Sequence, residues 1–196
     1  MVLISYVNEI ADACKHHGVN ILDVCSASAT KPFGFTPFSP SLGAGGHCIP
    51  VNPYYLMTNC NLPTLQAAAS FNQQRPKKKA EEVANLAKTI ATARSRNKQP
   101  SILIIGMGFK KGEASITNSA AAIMADKLQQ LGCSISYLDD FVESTKWLKV
   151  SRSILADLTD LEERFDIIII NHSLSQRERL LFSNIKHTRV LEAALL

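Results

Sequence analysis

Residues 43–48, Gly43-Ala44-Gly45-Gly46-His47-Cys48, place an imidazole and a thiol at the end of a glycine-rich stretch. Glycines adopt backbone angles closed to other residues and let a ligand approach the main chain. Pro50 suits the first residue of a helical turn. Cys48 would then lie near a helix N-terminus, where free N–H groups and the positive dipole end favour a thiolate. A thiolate is a nucleophile able to add to a carbonyl carbon. A buried structural cysteine fits the same residues, and a solvent-facing loop histidine fits His47, so chemistry alone leaves both open.

Two further groups are chemically suggestive. Gly106-Met107-Gly108 follows the apolar run Ile102–Ile105, and Lys110 comes next. The dinucleotide fingerprint is G-x-G-x-x-G opening directly into a helix. Here Lys110-Lys111-Gly112 intervenes, and the helical pattern begins only near Ser119. A plain βα turn and a phosphate site with Lys110 as its cation are both compatible with these residues. His172 follows the apolar run Ile167–Ile170 and could face a ligand cleft, or be a polar strand end.

The elements that must position these groups are read from periodicity. Leu3, Ile4, Val7, Ile10, Ala11 and Cys14 have helical spacing, with Gly18 as the stop. Ile21–Ala29 predicts a second helix with Asn20 as N-cap. Residues 30–53 hold five prolines, four glycines and three phenylalanines, which predicts a long ordered loop. A short helix is predicted over 52–60. A long one is predicted over 63–95, kinked or split at Pro76. The polar stretch 95–100 marks a domain boundary. Beyond it, strands at 102–105, 135–138, 166–170 and 189–191 alternate with helices at 119–131 and 154–161. That alternation predicts a small parallel sheet.

The fold class is therefore α/β. Residues 1–98 form a helical dimerisation domain carrying the Cys48 loop, and 99–196 form a small Rossmann-like domain. A net charge of +4 without interleaved aromatics argues against nucleic acid as a partner and suits an anionic small ligand. Five scattered cysteines, none in C-x-x-C, argue against a disulfide framework or zinc site. His16-His17 is a helix end suited to partial positive charge rather than a metal site. No apolar run is long enough for a membrane span, and the expectation is a soluble cytoplasmic protein.

Residues 30–56, TKPFGFTPFSPSLGAGGHCIPVNPYYL, resemble the active-site loop of the UDP-glucose/GDP-mannose dehydrogenases, nearest the branch acting on UDP-N-acetylhexosamines. VNEIADACKHHGVNILDV upstream, Asn72 and Pro76 in the long helix, and ILIIGMGFK resemble it too. The resemblance implies a central helical domain followed by a UDP-binding domain. It implies that Cys48 forms a thiohemiacetal and then a thioester while a sugar C6 alcohol is oxidised twice by NAD. It implies substrate contacts at Phe33, Phe35, Phe38, Gly43, Gly45, Gly46 and Lys110, and a homodimer through the long helix.

Departures from that pattern shape the expectation. The family's NAD-binding domain would lie upstream of Met1, with its catalytic glutamate and threonine. Asn52 stands where the family has an aspartate, and an amide cannot take a proton from water at neutral pH. Residues 114–120 read Ala-Ser-Ile-Thr-Asn-Ser-Ala where the family has D-D-x-R-x-S-P, so Thr117 replaces an arginine. The chain alone is expected to use no cofactor and to perform no NAD-dependent oxidation. The leading reading is non-redox chemistry (elimination, isomerisation, cyclisation or thiol addition) around Cys48, with Asn52, His47 and His172 as catalytic candidates. The alternatives are a non-catalytic dimer that binds a nucleotide-sugar, a regulatory protein, or the C-terminal part of a split dehydrogenase.

Overall fold

The computed structural model describes residues 1–94 and 99–196. The domain boundary expected at 95–100 falls largely on residues outside the described ones. Two helices open the chain, α1 (Val2–His16) and α2 (Ile21–Ala29). The Asn20 side chain accepts the Leu22 N–H and starts α2, as an N-cap asparagine does. The loop that follows reaches α3 (Asn52–Met57), and α4 (Pro63–Ala93) runs on from there.

α4 is one continuous helix through Pro76, so the split is not realised. Pro76 has no N–H to give the Asn72 carbonyl. Gly43 approaches that same carbonyl: a Cβ at position 43 would lie 3.4 Å from Asn72 O. The helix opening is thus where the glycine loop comes in.

Five parallel strands follow in the order β3-β2-β1-β4-β5: β1 (Ser101–Ile105), β2 (Ser134–Leu138), β3 (Leu148–Lys149), β4 (Ile167–Ile170) and β5 (Arg189–Glu192). The buried apolar strands β1 and β4 are central, which is where unbroken Ile/Leu runs belong. One face packs on α4 and α5 (Ala120–Gln130) through Ile102, Ile104, Ile167 and Ile169 against Val83, Ala87 and Met124. The other face, with Leu103, Ile105, Ile168 and Ile170, packs on Leu161 of α6 (Leu158–Arg164) and Phe182 of α7 (Gln176–Ser183).

Three elements differ from the sequence reading. The helix expected over 154–161 is a 3-10 turn (Arg152–Ala156) and then α6, because the Asp157 side chain caps a new start through the Thr159 and Asp160 N–H groups. β3 is two residues long and carries no periodicity to read. α7 was not foreseen. Its signal is the capping box Ser175-x-x-Glu178, in which each residue's side chain meets the other's backbone. The apolar stripe of α4, Ala80, Val83, Ala84 and Ala87, is buried within the chain against the sheet side.

Candidate functional site

The glycine loop is fastened on two sides. The Asn72 carboxamide of α4 meets both backbone groups of Ala44: Oδ1 accepts its N–H at 2.7 Å, and Nδ2 donates to its carbonyl at 3.1 Å. Two residues on, both backbone groups of Gly46 are taken by the segment after β1. The Gly46 N–H donates to Thr117 O at 3.0 Å, and Asn118 Nδ2 donates to Gly46 O at 3.0 Å. Asn118 has a φ of 50°, a left-handed conformation that asparagine tolerates better than most residues. Between these ties, a Cβ on Gly45 would sit 2.9 Å from Asn118 O and from Phe109 Cβ. Only glycine lets the loop lie this close to the strand turn.

Beyond the second tie the chain turns outward. His47, Cys48 and Ile49 are exposed, and the His47 ring meets the Phe109 ring edge-on at 6.4 Å. The Cys48 carbonyl accepts the N–H groups of Val51 and Asn52 at 3.2 and 2.9 Å, so Asn52 opens α3 one turn after the thiol. Lys110, next to Phe109, is exposed. Gly43, Gly45, Gly46, His47, Cys48 and Asn52 thus lie along one loop, and Lys110 follows the Phe109 whose ring meets His47. A cavity of about 440 Å³ adjoins the loop at Ala44, Pro50 and Val51 and is further lined by Tyr54, Asn72 and Asn118 among others; neither Cys48 nor Lys110 is in its wall.

Phe33, Phe35 and Phe38 lie elsewhere. Phe33 is 75% exposed. Phe35 and Phe38 line a different, apolar groove of about 460 Å³ with Leu3, Tyr6, Ile10 and Val24 of α1 and α2.

Residues 1–74 match the model of the UDP-glucose/GDP-mannose dehydrogenase family, central domain. Over these residues the chain is similar to the central domain of that family. It is 25% identical over 146 residues to the UDP-N-acetyl-D-mannosamine dehydrogenase of Pyrococcus horikoshii, covering 74% of this chain and 34% of that protein. It is 27% identical over 146 residues to the UDP-N-acetyl-D-glucosamine 6-dehydrogenase of Pseudomonas aeruginosa, covering 72% and 33%. The chain thus spans about a third of the length of the curated relatives it matches. In fold it resembles a UDP-glucose dehydrogenase from Pyrobaculum islandicum, with a TM-score of 0.71 at 17% identity over 98% of this chain and 44% of that one.

In this chain the glycine turn of the sheet is already occupied. Asp139, at the end of β2, turns Oδ2 to the N–H groups of Met107 and Gly108 at 2.8 and 3.2 Å. Its Oδ1 accepts those of Phe141 and Val142 at 2.9 and 3.1 Å. Burial pushes the Asp139 pKa up, but the N–H groups of Phe141, Val142, Gly108 and Met107 outweigh it and hold the carboxyl below the usual range. The His172 ring covers the same turn. A Cβ on Gly106 would be 2.4 Å from it, and His172 Nε2 lies 3.0 Å from Gly108 O. The N–H groups a pyrophosphate would use are spent and the space above them is filled, so this turn does not fit a dinucleotide. His172 lines a small cavity at the strand ends together with Asp139, Asp140 and Arg152, and Cys48 is not in its wall.

Among the described residues no helix is long and apolar enough to cross a membrane, and no group of three or more His, Cys, Asp or Glu could hold a metal ion. The residues that sequence reasoning missed are the ones that hold the loop: Asn8, Arg75 and Asn118, with Asp139 at the turn. Asn8 Oδ1 accepts the Ser41 N–H at 2.7 Å from a side chain on α1. Each is a polar residue in an ordinary-looking element. For Asn8 and Arg75 the sequence signal is a polar side chain on a helix face that otherwise reads as core.

Proposed function

We propose that these 196 residues bind a nucleoside-diphosphate sugar of the UDP-N-acetylhexosamine class and present Cys48 to the carbonyl carbon of its C6 aldehyde. The observation that carries this reading is the double fastening of the loop at Ala44 and Gly46, which leaves Cys48 exposed two residues before Pro50 of the cavity wall. Lys110 is the cation for the phosphates. Tyr54 offers a ring face and Gln73 a free amide for sugar hydroxyls. The names of the relatives support the ligand class.

The step these residues carry by themselves is thiol addition. A sulfur–carbon bond forms, the carbonyl π bond breaks, and the thiol proton ends on the new hydroxyl oxygen. No oxidation state changes. His47 is the candidate proton carrier, and Asn52 orients water without deprotonating it. Going on to an acid requires a hydride acceptor. A segment or partner polypeptide holding NAD would supply that role, because the glycine turn does not fit it.

The reading includes a homodimer. The second copy pairs through the long helix α4, where Leu86 is among the exposed large apolar side chains. Light scattering at the monomer mass removes this part.

The deciding experiment is protection of the thiol. UDP-N-acetylglucosamine at millimolar concentration should slow alkylation of Cys48 several-fold and leave that of the exposed Cys60 unchanged. Its C6 aldehyde should give a mass adduct on Cys48. Equal alkylation with and without ligand, together with no heat of binding for UDP or the sugar, sinks the reading.

A further inference from the structure

Among the described residues the largest fully buried side chain is charged. Arg75, on α4 one turn after Asn72, is 2% exposed. Its guanidinium joins four separate segments. Nη1 donates to Ser41 O at 2.7 Å and to Leu42 O at 3.4 Å, both in the stem of the glycine loop. Nη2 donates to Asp12 Oδ1 of α1 at 2.9 Å and to Leu196 O at 3.4 Å. Nε is buried without a partner.

Burying a guanidinium is costly, and an ion pair seldom makes it a net gain in stability over an apolar side chain. The unpartnered Nε adds to that cost. A packed methionine in this place would meet neither. What the planar fork supplies is geometry, because a rigid guanidinium fixes several acceptors at set angles. Here the acceptors are consecutive carbonyls of the loop, one and two residues before Gly43.

Three buried side chains thus grip residues 41–44: Asn8 takes the Ser41 N–H, Arg75 the Ser41 and Leu42 carbonyls, and Asn72 both groups of Ala44. Asp12 in turn holds Arg75 and, at 3.0 Å, Lys79. The stem is anchored by side chains from two helices before the loop reaches its glycines.

We propose that Arg75 is a positioning residue for Cys48: it sets where the thiol stands by fixing the carbonyls of the loop stem. The inference rests on the proposed thiol chemistry for its purpose, but its geometry is read without ligand. Arg75→Lys keeps the charge beside Asp12 and loses the fork, and Arg75→Gln loses both. Both are compared with the wild type by amide exchange over residues 41–46 and by the alkylation rate of Cys48, with Cys60 as internal control.

The expected result for folded Arg75→Gln is at least tenfold faster exchange at Ala44 and Gly46 than in wild type, with β1 amides unchanged. The alkylation rate of Cys48 should shift several-fold while that of Cys60 stays the same, and Arg75→Lys should recover part of both. Unchanged loop exchange and an unchanged Cys48 rate in a folded variant overturn the proposal. Failure of both variants to fold also overturns it, since Arg75 would then serve the whole fold rather than the loop. Absence of ligand protection in the wild type defeats the proposed function instead, and leaves the stem measurement to stand or fall alone.

Discussion

Asp139 Oδ2 accepts the backbone N–H of Met107 at 2.8 Å, so a carboxylate sits where a nucleotide-binding turn would hold phosphate. The turn carries its own anion, contributed by the neighbouring strand. Asp139→Asn replaces one acceptor oxygen with an N–H₂ facing backbone donors and should cost about 1–3 kcal/mol. Urea unfolding measures the loss.

The same carboxylate predicts an acid limb. Its folded pKa is depressed, through backbone donors that overcome burial. Its stabilisation is therefore complete well above the unfolded pKa of about 3.9 and disappears as pH falls below that toward the folded value. The wild type should lose stability across this window, and Asp139→Asn should show a shallower fall. Parallel pH profiles of the two proteins would remove the assignment.

Gly45 meets two obstacles at once. Alanine there places its Cβ 2.9 Å from a backbone oxygen and from Phe109 Cβ. Gly45→Ala should destabilise by about 1–3 kcal/mol through overpacking, and should weaken nucleotide-sugar protection of Cys48. Thermal unfolding and alkylation read the two effects separately.

Asp12 neutralises two buried cations, Arg75 and Lys79, whose side chains are 1% and 6% exposed. Removing it by Asp12→Ala leaves charge uncompensated. The expected loss is about 3 kcal/mol, at the low end for broken buried pairs because Asp12 itself is partly exposed. Glu82 holds Lys79 from the other side at 3.2 Å and should soften the effect. Equilibrium denaturation decides, and a loss below the noise of the method contradicts it.

Cys48→Ser touches an exposed side chain and should leave stability within about 0.5 kcal/mol of wild type. It should abolish the aldehyde adduct while sparing binding of the nucleotide-sugar. Persistence of an adduct in the variant would assign the chemistry to another residue.

The sheet was legible because its signal is local. Ile102–Ile105 and Ile167–Ile170 are unbroken apolar runs, and both prove central. The cap at Asn20 was equally plain, since a side chain bonding two residues ahead is a short-range rule. The Cys48 loop stood out by composition, and its glycines are where the close approaches occur. What holds that loop was not legible. Arg75 and Asn8 contact Ser41 from 34 and 33 residues away, and no spacing rule encodes such a meeting. Asp139 looked like a strand-end acid, the residue that in a working nucleotide fold faces a ribose. Only its place beside Met107 and Gly108 turns it into a plug.

α4 passes unbroken from the loop-gripping residues Asn72 and Arg75 to Ala80, Val83 and Ala87 in the sheet's core. One rod is therefore shared by the thiol and the strands. The path between them runs through Pro76, the one turn whose Asn72 carbonyl lacks its helical donor, so any displacement of the strand layer meets the loop at the weakest link of the rod.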